Sequence, residues 1–227
     1  MKFNYLSVIV IMFVVIAVAV TGCTSTSPSS SNAAPTSGAA SAGAASSSTP
    51  QVGSTSSASS IFSTSYNWME YQTSANSNGK QSTLDMKYER STADYQGSQA
   101  VHVKMTVTSS SNSGFNGVFD YYWDTAMDNL LGGTMTMTYN GKTMTTSIPA
   151  EYLSQAQATN FHTGTLTFEG IEPVTVPAGT YPIASKYTNT VSGTSVTYWS
   201  APGVPVPVKI ATSSSSSSST SELVGWG

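Results

Sequence analysis

Two histidines, one cysteine and eleven carboxylates are all that this 227-residue chain offers for acid–base, metal or nucleophilic chemistry. His102 and His162 lie sixty residues apart, with no cysteine near either and no His-x-x-x-His spacing, so together they make no zinc site. His102 shares the outward phase of an alternating segment with Lys104, which is where a solvated side chain belongs. Asp120, Asp124 and Asp128 recur every fourth residue, whereas a calcium loop wants oxygen ligands at alternate positions around a glycine bend. That spacing instead describes a strand end, a helix cap and an exposed helical position. Glu169 and Glu172 are close in sequence, as a glycoside-cleaving pair could be, yet nothing sets them across a cleft, and exposed loop positions explain both. There is no Gly-x-Ser-x-Gly elbow, and serine is so abundant that a Ser/His/Asp combination carries no information. The chain is expected to hold no catalytic residue, metal or cofactor, and not to be an enzyme.

Cys23 is the only cysteine, so the chain forms no internal disulfide. It closes the run Leu6–Val20, about fifteen residues that are apolar apart from Ser7, preceded by Lys2. That length suits the apolar core of an export signal and falls short of the roughly twenty residues of a spanning helix. Val20-Thr21-Gly22-Cys23 then resembles the lipobox of bacterial and archaeal lipoproteins. The resemblance implies removal of residues 1–22 as a signal peptide and lipid attachment to the Cys23 sulfur. The alternatives are an uncleaved N-terminal helix from Phe3 to Gly22 and simple secretion. Either anchored form places the protein on the outer, extracytoplasmic face of the cell membrane. One acyl chain gives only marginal anchoring at about 0.8 kcal/mol per buried methylene, so a permanent lipid anchor takes two.

Residues 23–60 follow as the lipid-bearing cysteine and a linker. From Thr24 to Ser60 no residue is charged, and Ser, Thr, Ala, Gly and Pro supply nearly all of it. Such a segment buries too little apolar surface to offset its conformational entropy. As a flexible coil it spans about 30 to 37 Å. Interleaved Ser, Thr and Pro permit O-glycosylation, and no Asn-x-Ser/Thr triplet occurs.

Residues 61–227 are expected to form one domain, β-rich with a minor helical part, with a flexible serine loop at 212–220. Leu84–Tyr88 and Val101–Val107 alternate apolar with polar residues, the period of a half-buried strand. Met135–Tyr139 alternates into Asn140-Gly141, a two-residue hairpin signal, with Lys142–Ile148 as the return strand. Further strands are expected at Phe62–Tyr71, Val118–Trp123, Thr163–Glu169, Tyr181–Thr190, Ser195–Trp199 and Val206–Ala211. Short helices are expected at Asp124–Leu131, which opens on an N-cap residue and ends at Gly132-Gly133, and at Pro149–Ala158. Strands that outnumber helices this heavily predict a mainly β fold of the α+β kind: an antiparallel curved sheet or half-barrel covered by one or two short helices.

The tract Thr167–Tyr181, with Val176-Pro177-Ala178-Gly179 at its heart, together with Lys186-Tyr187, Tyr198-Trp199, Val208-Lys209 and Glu222-Leu223, resembles β-rich exported proteins similar to lipoprotein-carrier-like half-barrels of microbial envelopes. The resemblance covers roughly the last sixty residues. It implies that Ser221–Gly227 returns as a final strand, and that the concave sheet holds a lipid or other apolar ligand. Pro202, Pro205 and Pro207 and the run Ser213–Ser219 depart from the pattern, since a proline lacks the donor that an interior strand needs.

Tyr121, Tyr122 and Trp123 are consecutive, so a strand divides them between its faces, one serving the core, the other covered by a helix or free to stack on a sugar or a partner. Charged residues are only 8% of the chain, with a net charge of −3, which argues against nucleic acid as a partner. Two roles follow. In the first, methionines such as Met86, Met105, Met135, Met137 and Met144 line an adaptable apolar pocket. In the second, the domain is a structural or interaction component of the envelope with a filled core. No pattern specifies an oligomeric state.

Overall fold

The computed structural model describes residues 51–57, 61, 66–110, 115–127, 129–139, 141–148, 165–191 and 193–227. Cys23 and the run before it, Asp128, His162 and the expected helix Pro149–Ala158 lie outside the described residues. Twelve strands are present: β1 (Thr55–Ser57), β2 (Trp68–Ser77), β3 (Lys80–Tyr95), β4 (Ser98–Ser109), β5 (Asn116–Trp123), β6 (Leu130–Tyr139), β7 (Lys142–Ser147), β8 (Thr165–Val176), β9 (Gly179–Val191), β10 (Thr194–Ser200), β11 (Lys209–Ser213) and β12 (Ser217–Trp226). They form one sheet in the order β1-β8-β9-β10-β11-β12-β2-β3-β4-β5-β6-β7, antiparallel throughout and open, with β1 and β7 as its edges.

Alternation builds the sheet as expected. In β4, Val101, Val103, Met105 and Val107 are buried while His102, Lys104 and Thr106 turn outward. The same phase buries Leu84, Met86 and Tyr88 of β3 and Phe119, Tyr121 and Trp123 of β5. These side chains and their counterparts from β8 to β12 belong to a single hydrophobic cluster, and the sheet curves around them. Its concave side is the core, to which Ile61 and Tyr66 from the β1–β2 connection are added. Tight turns set the registers: Asn78-Gly79 (φ 51° and 78°) and Gln96-Gly97 (φ 52° and 80°) have the paired positive φ of type I′ hairpins.

The last strand joins the two halves. β12 pairs with β11 on one side and with β2 on the other, from Ser217↔Ser77 to Trp226↔Met69. On that seam the buried hydroxyls of Thr73 and Ser221 satisfy each other at 2.7 Å. The Val176-Pro177-Ala178-Gly179 turn folds back onto the same strand, where Ala178 N–H donates to Leu223 O at 2.9 Å. The tail therefore forms the final strand that the resemblance implied.

Several expectations are corrected. No helix occurs among the described residues. In place of a helix at Asp124–Leu131, Asp124 N–H donates to Asn129 O and Met127 N–H to Asp124 O, each at 2.9 Å, closing a turn that hands the chain to β6 at Leu130. Two turns of helix gain little by themselves, whereas pairing Leu130 with Trp123 extends a ladder already begun. The 23–60 linker is not free to its end, since Thr55–Ser57 pair with Thr165–Thr167 as edge strand β1. The 212–220 loop shrinks to Ser214–Ser216, because the flanking serines are ladder residues whose backbone groups pair whatever the side chain. The strand expected at Phe62–Tyr71 is β2, and starts at Trp68. The one expected at Val206–Ala211 starts at Lys209, after Pro202, Pro205 and Pro207 have passed in a connection outside the ladder.

Candidate functional site

A grouping of polar and aromatic side chains sits on the convex face of β3 to β6. Registry alone aligns Ser91, His102, Tyr122 and Gly132 in one row across four strands. His102 Nε2 lies 2.8 Å from Asp120 Oδ1, and its Nδ1 lies 3.4 Å from Ser91 Oγ. With the proton on Nε2, the ring donates to the carboxylate and Nδ1 is left to accept from the serine. The Tyr122 ring stacks on His102 at 4.9 Å between centroids, and Tyr95 stacks on Tyr122 at 4.5 Å. His102 is therefore outward but not solvated, with a side chain only 20% exposed. Alternation assigned its face correctly and could not foresee the rings beside it. Among the described residues no helix covers Tyr122; the Tyr95 and His102 rings stack on it.

A serine, a histidine and an aspartate in contact invite comparison with a hydrolytic relay. The Ser91 to His102 separation of 3.4 Å is long for a hydroxyl hydrogen bond, and Ser91 stands exposed on the convex face. Asp124 pairs with Asn129 Nδ2 at 2.6 Å, away from the Asp120–His102 contact. Glu169 accepts from Thr188 Oγ1 at 2.7 Å, and Glu172 from Trp199 Nε1 at 2.5 Å, so each glutamate serves its own cross-strand partner. Among the described residues no group of three or more His, Cys, Asp or Glu is placed to hold a metal ion.

No family model matches the chain, and no curated protein does. Among solved structures it is similar to a DUF1329 family protein from Desulfovibrio piger ATCC 29098, with 8% identity and a TM-score of 0.36 over 70% of this chain and 85% of that one. It is also similar to an exported-protein candidate with a YmcC-like fold from Bacteroides fragilis NCTC 9343, with 12% identity and a TM-score of 0.33 over 74% of this chain and 98% of that one.

The concave side divides in two. Across β2 to β5 it is filled: Met86 and Met105 are 1% and 0% exposed. Tyrosines share that interior. Tyr71 Oη donates to Pro207 O at 2.7 Å, while the Tyr88 hydroxyl and Trp123 Nε1 are buried without a partner among the described residues. Burial raises the pKa values of Tyr71, Tyr88, Tyr121 and Tyr198 well above the usual phenol range, and that of Tyr66 to about 12. Towards the β7 edge the filling gives out. Met135 and Met137 are half-buried, and Met144, opposite Met137, is 58% exposed.

One convex-face arrangement escaped sequence reading. Lys186, Trp199, Lys209 and Glu222 form a row across β9 to β12, the two lysine nitrogens lying 5.6 and 5.8 Å from the indole centroid and Lys209 Nζ 2.9 Å from Glu222. These residues are spread over 37 positions and meet only through strand registry.

Proposed function

We propose that this protein is an extracytoplasmic interaction component of the cell envelope, held at the membrane by lipid on Cys23, and that it acts by binding rather than by catalysis. One observation carries the reading. Met86 and Met105, which a pocket in the middle of the sheet would need as lining, are consumed in packing against neighbouring strands. A filled concavity suits a domain that presents its surfaces and edges. The lipobox-like Val20–Cys23 and the uncharged residues that follow supply an anchor and a spacer.

The intact mass and membrane partition of the full chain from its own host test the anchor, alongside a Cys23→Ser variant. A processed, lipid-shifted mass that the variant loses is expected. An unshifted full-length mass would replace lipidation by an uncleaved helix. Native mass spectrometry of the same preparation tests the filled core, with a ligand-free mass expected.

The second reading, an apolar ligand such as an acyl chain, is favoured by the row Met135, Met137 and Met144, where apolar side chains on the concave face stay partly open. Co-purifying lipid that is lost on Met144→Asp substitution would establish it.

A further inference from the structure

β7 is the longer of the two edges of this sheet, and all six of its residues are exposed. Ile148 N–H donates to Gly133 O at 3.0 Å, in step with the Tyr139↔Lys142 pair that flanks the turn. Even-numbered residues of β7 therefore point their peptide groups at β6. Thr143, Thr145 and Ser147 point theirs away, leaving three N–H and three C=O groups without a strand partner among the described residues. Edge strands are commonly blunted by charge, proline or a bulge. β7 has one charge, Lys142, at its turn end, no proline and no break in register.

We infer that β7 docks a second copy of this chain, edge to edge and antiparallel, about a two-fold axis through Thr145. This rests on the reading of the protein as an interaction component, and names its partner. Residues directly opposed in an antiparallel pair share a face, so only registers that keep odd opposite odd continue the sheet with its concave side unbroken. With Thr145 on the axis, Thr143 meets Ser147 of the second copy at both ends, and all six outward groups of each edge are satisfied.

The side chains agree with that register. On the convex face Thr136 and Thr138 already bond Thr145 and Thr143 across β6 and β7, each at 2.9 Å. The axis carries this hydroxyl ladder into the second copy, threonine against threonine and threonine against serine. On the concave face Met144 gains Thr146 as its neighbour. The two Lys142 side chains are six positions apart along the paired edges, roughly 20 Å at about 3.4 Å per residue and beyond the ~8 Å screening length. β1 offers only three residues, and pairing β7 to it would give a head-to-tail contact that need not close. A six-residue edge pair buries less than the ~1,200 Å² of a stable complex, so the dimer is weak in solution and forms where anchoring concentrates the chains.

Cysteine cross-linking of the full chain in membranes from its own host tests this. The Cα atoms of an opposed, hydrogen-bonded pair are about 5.5 Å apart, within disulfide reach. Under mild oxidation Thr145→Cys is expected to give about tenfold more disulfide dimer than Thr143→Cys or Gln81→Cys alone, because only the axial position meets itself. A mixture of Thr143→Cys and Ser147→Cys chains should also cross-link. Adding Thr145→Pro, which removes an N–H that β6 does not use, should abolish that mixed product. The inference is overturned if Thr145→Cys cross-links no more than Gln81→Cys, as when residues 149–164 of the same chain cover the edge. Equal cross-linking by Thr143→Cys alone, or a mixed product that survives Thr145→Pro, overturns it too. A dimer of the unsubstituted chain would report a free Cys23 thiol, and would count against lipidation without touching the edge.

Discussion

The hydroxyl of Tyr95 occupies the space into which a Cβ on Gly132 would project. The tyrosine ring, stacked on Tyr122, thus lies over bare backbone on the next strand and takes the place of the side chain that Gly132 lacks. Trp68 does the same at the sheet's seam, where a Cβ on Gly225 would come within 3.0 Å of its ring and one on Gly227 within 2.7 Å. On this convex face, aromatic rings over glycines do the shielding that large side chains do elsewhere.

Gly132→Ala should therefore destabilise the domain by about 1–3 kcal/mol, because the methyl must displace the Tyr95 ring. Adding Tyr95→Ala should recover part of the loss, with a coupling of at least about 0.5 kcal/mol. Urea denaturation of the two single variants and the double variant measures it; strictly additive costs would mean that the two residues do not share the space.

Tyr88→Phe and Tyr71→Phe should behave oppositely. The Tyr88 hydroxyl is buried without a partner among the described residues, so its removal should be neutral or stabilising by up to about 1 kcal/mol. Tyr71 donates to Pro207 O, and its removal orphans that carbonyl at a cost of about 1–3 kcal/mol. Thermal denaturation of the two variants side by side decides; equal losses would show that Tyr88 has a partner in solution.

Alkali should unfold the domain steeply. An unfolded tyrosine gives up its proton near pH 10, whereas burial holds the proton on Tyr66 to about pH 12 and on Tyr71, Tyr88, Tyr121 and Tyr198 beyond the usual range. Below pH 10 both states keep their protons and stability does not change on this account. Above it the unfolded chain alone loses them, so these five groups remove stability at up to about 7 kcal/mol per pH unit between about pH 10 and 12. Phenolate absorbance recorded with circular dichroism checks this. Free titration of Tyr66, Tyr71, Tyr88, Tyr121 and Tyr198 before unfolding would contradict it.

Gly179→Ala should cost about 1 kcal/mol or more, because φ at this position is 146°, where a side chain is strained. The loss should fall on the β8–β9 tip that Ala178 ties to Leu223, and amide exchange there should speed up more than in β3 and β4.

Much of this architecture is legible in the sequence, for reasons local to it. Alternation places Val101, Val103 and Met105 inward and His102 and Lys104 outward without reference to any other strand, because successive side chains of an extended chain point to opposite faces. Asn140-Gly141 announces the β6–β7 hairpin because its turn needs positive φ, and Gly141 has φ 74°. The helix expected at Asp124–Leu131 shows the limit. Asp124–Leu131 carries a plausible cap and glycine stop, yet its residues close a turn, since Trp123 and Leu130 gain more by pairing than eight residues gain by coiling. The serine run has no periodicity to read, and the place of Ser217–Ser219 as strand is set by Ala75, Asn76 and Ser77 of β2, far away in the sequence.

What the chain determined by itself is most of the strands and the inner and outer face of most of them. The rest was decided only when distant segments met. β12 became the seam of the sheet, Met86 and Met105 became packing, and His102, Asp120 and Tyr122 came to lie side by side. The reason is physical: a strand's own sequence specifies which face is apolar, but its neighbours are set by registry and by how far the sheet must curve to close its core.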